Sequence, residues 1–475
     1  MSLQPLTEQL WKQLRSGNPE EVDLALTRAE YQGFDLAPWH KEFAELCEFV
    51  PTLDGASKFA MIAAVYTTSS LNISNRALSV VPEVLRHLRH LQVLKLAENE
   101  IAILPDWIGE LSHLRELELQ QNQLQSLPSS IGKLELLEIL NLSANKLSKL
   151  PASFGNLTRL NELYLSNNKL DSLAENIGKL TALTLLDLNN NPIKTLNNSI
   201  EDLNSLEVLN LSFTGLTAIP EMVCHIHSLK TLYLQKNELT SLPANIGRLA
   251  QLESLFLSFN KLTALPDSFC TLRNLKRLKI EKNFLKSLPN HFGSLQNLSE
   301  LQLQDNQIST LPNSFGDLSS LEELYLERNQ LSSITDSFVN LSALRDCWLQ
   351  SNAITELPAQ IGKMKRLEYL NLEHNPLEQL PKTIAEISTL KHLLLGGTQL
   401  SSLPRAIEKM GLTELNIDNT PLEQLRLENP ALVVQEDDEA EDEAPKPTLG
   451  GGCFGLFFTL SILIVVTLIY MVTRF

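Results

Sequence analysis

The chain has 475 residues, 43% of them apolar, 20% charged and 6% aromatic, with 39 basic against 56 acidic side chains and a formal charge of −17. Its 22 prolines and 19 glycines are too few for a collagen-like or low-complexity chain, its apolar content excludes general disorder, and its acidity excludes nucleic acid as a partner, because phosphate-backbone binding needs clustered Lys and Arg. Five cysteines, Cys47, Cys224, Cys270, Cys347 and Cys453, form no C-x-x-C pair, so neither a disulfide framework nor a thiolate metal site is expected and a reducing compartment fits.

Residues 1–67 read as a helical N-terminal cap. The first twenty contain no apolar run of the kind a secretory signal requires, which places the bulk of the chain in the cytoplasm. Asn18, Pro19, Glu20 and Glu21 open one helix as N-cap, first position and acidic first turn, and Gly33 closes it. An apolar stretch from Phe59 to Tyr66 is expected to cover the open end of whatever follows. Cys47, near His40 and Glu48, is the one free candidate for a thiol nucleophile.

From residue 68 to 427 the sequence repeats with a period of 23. The pattern L-x-x-L-x-L-x-x-N-x-L starts at Leu91 and recurs in perfect register to Leu390, starts once more one residue early at Leu412, and has a degenerate first copy at Leu71, Ile73 and Leu78. Within a copy, Leu94 and Leu96 project to one side of a short strand and Lys95 to the other, and identical strands are expected to stack in parallel over about 16 turns. The rest of the unit, such as Leu104-Pro105-x-x-Ile108-Gly109-x-Leu111, suits a brief helical turn with Pro105 at its first position. The asparagines from Asn99 and Asn122 to Asn375 recur where the chain leaves the strand and read as an internal hydrogen-bonded ladder; Thr214, Thr398 and Thr420 replace them and should weaken those turns. Cys224 and Cys270 take a slot otherwise held by glycine, and Cys347 replaces a core leucine.

This repeat resembles the leucine-rich repeat family, and its L-P-x-x-[I/F]-G-x-L segment is similar to the 23-residue class of Ras-group scaffolds and many bacterial repeat proteins. The resemblance implies an α/β fold: a right-handed solenoid with a parallel concave sheet that recognises a protein, with a small GTPase or its regulator as the partner class. Three departures stand beside it: no GTPase domain follows, no ligase-sized domain is attached, and neither end carries the cysteine-rich cap of extracellular members.

The middle exposed position of each strand is where the repeats differ, and it holds Tyr164, Tyr233, Phe256, Tyr325 and Trp348, more aromatics than a 6% background supplies. With Phe213, Phe259 and Tyr369 they are expected to form two clusters on the concave wall, separated by a cationic island of Lys276, Arg277, Lys279 and Lys282. Aromatic and Arg anchors of this kind dominate interface energetics.

Residues 428–452 form an acidic Pro/Gly linker in which Glu436–Glu443 contain seven acids; these account for seven of the seventeen net negative charges, so the repeats are acidic too. A transmembrane helix is expected over 453–473: residues 454–472 carry no charge and, at 1.5 Å per residue, cover roughly 28 Å, the thickness of a bilayer core. With only Thr473, Arg474 and Phe475 beyond it, the layout is that of a single-pass, tail-anchored protein; a cleaved sorting signal after Gly450-Gly451-Gly452 is the alternative, and Cys453 at the membrane edge is a candidate for acylation.

No chemistry stands out. Gly178-Lys179-Leu180-Thr181 lacks the remaining glycine and hydroxyl of a phosphate loop, and neither His87 with His90 nor His225 with His227 makes an H-E-x-x-H pair. No cofactor, metal or catalytic residue is assigned. The sequence is that of a membrane-tethered, noncatalytic scaffold or adaptor; a bacterial effector inserted in a host membrane and a noncatalytic subunit of a ubiquitin-ligase-type complex are the alternatives.

Overall fold

The computed structural model describes residues 5–16, 18–49 and 66–422. Three helices come first: α1 (Glu8–Leu14), α2 (Pro19–Gln32) and α3 (Ala37–Cys47). The Asn18 side chain accepts hydrogen bonds from the backbone N–H groups of Glu20 and Glu21 at 3.0 and 3.4 Å, and Gly33 leaves α2 in the left-handed region at φ 73°. One buried carboxylate ties these helices to the repeats. Glu42 of α3 accepts from Arg15 Nε at 2.8 Å and from the Tyr66 hydroxyl at 3.0 Å, and it lies 3.6 Å from the His87 ring in the first turn of the solenoid. The stretch expected to cover the solenoid end lies outside the described residues except for Tyr66, which is buried.

Sixteen three-residue strands follow, from β1 (Ser70–Asn72) and β2 (Val93–Lys95) to β15 (His392–Leu394) and β16 (Glu414–Asn416), in one parallel sheet whose spatial order is the chain order. Each residue pairs with its equivalent 23 positions on, as in Ser70 with Val93, and only the last step, His392 with Glu414, is a residue shorter. The central residue of every strand is buried, while its neighbours face the other side, mostly half-buried. Behind the sheet runs a wall of single 3₁₀ turns such as Asp106–Glu110. Pro105 is not inside its turn as expected but caps it from an extended conformation, φ −71° and ψ 151°. The reason is the hydrogen-bond pattern: Ile108 N–H donates to the Pro105 carbonyl at 3.1 Å, so the three-residue closure of a 3₁₀ turn begins on Pro105 itself. Packing between turns is tight there. A Cβ built on Gly293 would run into the carbonyl of Ser314 in the next turn, while Cys224 and Cys270 occupy the equivalent slot, both buried.

The spacing of the repeats on the two sides gives the curvature. Phe269, Phe292, Phe315 and Phe338, inside the 3₁₀ wall, are spaced at 6.3, 6.2 and 6.1 Å between centroids, whereas hydrogen-bonded strands lie about 4.8 Å apart. One repeat therefore advances further along the wall than along the sheet, and the sheet is the concave side.

The asparagine ladder is present. Asn283 is representative: its amide donates to the carbonyls of Leu257 and Ile280 at 3.0 and 3.1 Å and its oxygen accepts from Leu262 N–H at 3.0 Å. Each such side chain thus joins its own turn to the preceding one. Thr214 donates to Leu211 O at 2.9 Å but supplies no acceptor to the turn before, and Ile193 N–H turns instead to Asn191 O. Restoring the rung with Thr214→Asn is expected to stabilise the chain by about 1 kcal/mol, read as a higher denaturation midpoint. Unchanged or lower stability would count against the ladder as the source of cohesion.

Among the described residues no helix is long and apolar enough to cross a membrane; the linker 428–452 and the expected span 453–473 lie outside them.

Candidate protein-binding face

The inner face presents side chains in rows, because a strict 23-residue step places equivalent positions on adjacent strands. In the row formed by the third residue of each strand, Tyr233 stacks on Phe256 of β9 (Ser254–Phe256) at 4.6 Å with ring planes 4° apart. Further along, Tyr325 of β12 (Glu323–Tyr325) stacks on Trp348 of β13 (Asp346–Trp348) at 6.0 Å, and Trp348 lies 4.2 Å from Tyr369, the first residue of β14 (Tyr369–Asn371). The Trp348 indole N–H has no partner among the described residues. Tyr164 joins neither group; its hydroxyl donates to Glu162 at 2.7 Å.

Phe213 and Phe259 belong to a separate row. They occupy the left-handed position just beyond the strand, at φ 56° and 58°, and Lys236 and Lys282 fill the same position in alternate turns. Lys236 Nζ lies 4.5 Å from the Phe213 ring centre and 5.3 Å from that of Phe259, and Lys282 Nζ lies 4.5 Å from Phe259. This cation–π zipper continues into the Arg328–Asp305 ion pair, 2.9 Å between Nη2 and Oδ2. Lys236 is absent from the sequence-derived set, although stepping by 23 from Phe213 reaches it directly.

The cationic island is largely cancelled. Lys276 pairs with Glu253 at 2.8 Å and Lys279 of β10 (Arg277–Lys279) with Glu300 of β11 (Glu300–Gln302) at 2.9 Å, while Arg277 donates to Ser254 at 3.1 Å. The region between the two aromatic groups is therefore not a free positive patch.

What sequence reasoning missed is acidic. Glu323 and Asp346 are register partners on β12 and β13, both half-buried, and neither has a salt-bridge partner among the described residues. Burial pushes both carboxyls above their usual range, and neighbouring Glu300 adds to the effect at Glu323. Two residues beyond each strand's end, on the same face, lie Glu281, Gln304 and Glu327, only 8%, 1% and 3% exposed. Both polar atoms of the Gln304 amide and one oxygen of each glutamate lack partners. Burial raises the Glu327 carboxyl to about 7.

The thiol candidate gains no support. His40 and Cys47 are seven residues apart on α3, which separates them by about 10 Å along the helix axis, and burial pushes the Cys47 thiol up, away from the thiolate a nucleophile needs. Among the described residues no group of three His, Cys, Asp or Glu side chains could hold a metal ion.

Models of a leucine-rich repeat region match residues 70–184, 167–255 and 226–326, and single leucine-rich repeats match 320–341 and 366–387. A comparison with curated proteins finds no match. Among solved structures, a leucine-rich repeat protein of Leptospira interrogans is 36% identical, with a TM-score of 0.72 over 77% of this chain and 95% of that one. The plant peptide hormone receptor RGFR1 in complex with RGF2 is 28% identical with a TM-score of 0.61, and a TDR receptor 27% identical with a TM-score of 0.64; each match covers 74% of this chain. This chain spans 63% and 64% of those two receptors, under two thirds of either.

Proposed function

The chain belongs to the leucine-rich repeat family, and on that premise we propose that it is a membrane-tethered, noncatalytic scaffold or adaptor that binds a protein through the concave face of its sheet. The observation that carries this reading is the pair of half-buried aromatic groups on that face, Tyr233 with Phe256 and Tyr325 with Trp348 and Tyr369. Rings held flat by register lose little entropy when a partner covers them, which is what makes such residues anchors. The likeness to a hormone receptor whose structure contains its ligand supports a protein or peptide as the thing bound.

The tether rests on the uncharged run 454–472, set off from the repeats by an acidic linker. It holds the repeats on the cytoplasmic side and restricts recognition to one membrane surface, where a partner that is itself membrane-bound meets the face at a raised effective concentration. A small GTPase or its regulator is the class suggested by the Ras-group resemblance. The test uses the full chain in membranes: it stays with the vesicles after carbonate washing, and Phe256→Ala with Trp348→Ala weakens partner capture at least about 30-fold, as loss of an anchor worth 2 kcal/mol requires. Capture that survives both substitutions would remove the concave face from the assignment, and release by carbonate would remove the tether.

A further inference from the structure

We propose that the concave face from β11 to β14 is a receptor for a cationic segment of a partner protein, whose Lys or Arg side chains sit between the carboxylates of Glu323 and Asp346 and over the rings of Tyr325 and Trp348. This names the partner chemistry of the face assigned above and rests on that assignment.

The argument starts from register. Parallel stacking puts Glu300, Glu323 and Asp346 on three successive strands in one row, at a spacing of about 4.8 Å. Like charges opposed in this way are destabilising. Elsewhere the molecule answers such crowding with a lysine or arginine of its own. Lys95 bridges Glu116 and Glu118 at 2.9 Å each, Glu368 takes both Arg345 and Lys391 at 2.9 Å, and Lys279 neutralises Glu300. Among the described residues Glu323 and Asp346 make no ion pair: Lys279 acts on Glu323 and Arg345 and His392 act on Asp346 only at a distance, and Glu323 accepts from its own neighbour, the Tyr325 hydroxyl, at 3.2 Å.

A second observation is independent of that row. On the same face, beside Tyr325, the buried Gln304 amide has neither donor nor acceptor satisfied, and one oxygen each of the buried Glu281 and Glu327 carboxyls is likewise unmet. The face thus holds unmet acceptors at Glu281, Gln304 and Glu327 beside unmet donors at Gln304 and Trp348, polar capacity that a bound segment would use. Directly alongside lie the stacked rings of Tyr325 and Trp348, 6.0 Å apart, with Tyr369 4.2 Å from Trp348. Electron-rich ring faces next to carboxylates that make no ion pair are the setting in which an ammonium or guanidinium group is held by both charge and π-system. The chain as a whole, at −17, would draw a basic partner toward this face and repel an acidic one.

The test is calorimetric titration of the full chain in detergent with two synthetic probes: a peptide alternating Arg, Lys and Gly, and its Glu-Asp-Gly counterpart. The basic probe is expected to bind with an affinity that falls as salt is raised, and the acidic probe not to bind. Glu323→Gln with Asp346→Asn is expected to weaken the basic probe at least about tenfold while leaving the fold intact, since it removes a repulsion; a melting temperature no lower than the parent's checks this. Glu221→Gln, an exposed carboxylate in the 3₁₀ turn Glu221–His225 behind the sheet, should leave the basic probe's affinity unaltered. Absence of binding by the basic probe, or equal binding by the charge-neutralised variant, overturns the proposal. The broader reading fails separately: if partner capture is lost in the Phe256 and Trp348 variant but indifferent to neutralising Glu323 and Asp346, the face binds a protein that is not cationic here.

Discussion

Replacing Asn283 with alanine is expected to cost about 2–3 kcal/mol, with the damage confined to its own turn and the turns on either side. The side chain is buried, and removing it strands the Leu262 N–H of the preceding turn, while the Leu257 and Ile280 carbonyls each lose one of two donors and keep Asn260 and Asn306. A buried donor or acceptor left unmet costs roughly 1–3 kcal/mol, against about 1 kcal/mol for an ordinary bond that water can replace. Because each turn touches only its neighbours, amide hydrogen exchange on the full chain should show faster exchange from about Leu257 to Asn306, with turns near Leu117 or Leu393 unaffected. A loss below about 1 kcal/mol would mean that leucine packing alone carries the cohesion between turns.

The second large effect depends on pH. The Glu327 carboxyl is raised from 4.5 to about 7 by burial. Between those values the folded chain keeps a proton that the unfolded chain releases, so this carboxyl's contribution to stability is greatest below about pH 4.5, falls as pH rises through the window, and stays lower above pH 7. Glu327→Gln removes the penalty. At pH 8 the variant is expected to be more stable than the parent by about 2–3 kcal/mol, and at pH 4 the two should coincide. Urea unfolding at the two pH values decides it; equal midpoints at pH 8 would show that water reaches this carboxyl. Glu281, raised by burial in the same direction, keeps part of the slope in the variant.

Features that repeat or act locally were legible in the sequence. The period, the asparagine rungs and the Asn18 and Gly33 caps each need only a spacing or a neighbour within a few residues, and the register then multiplies the signal. The family itself followed from that register. Pairing between turns was harder to read. Lys276 and Lys279 look like free charge along the chain, yet their partners Glu253 and Glu300 stand a turn away on either side. Lys236 has no aromatic neighbour along the chain; the rings it meets, Phe213 and Phe259, stand one turn away on either side. Glu327 carries the opposite lesson: a charged residue on a sheet's open face reads as solvated, and only the packing of its neighbours along the row closes it off from water.

The threonine rungs divide the arch mechanically. From Asn237 to Asn375 seven asparagine rungs run without a break, while Thr214 interrupts the series on one side and Thr398 and Thr420 fall in consecutive turns on the other. Under tension applied at its ends, a stack of this kind parts where adjoining coils share the fewest bonds. The last two coils peel first and act as a fuse, and the central block, which carries both aromatic groups, keeps its curvature while they lengthen.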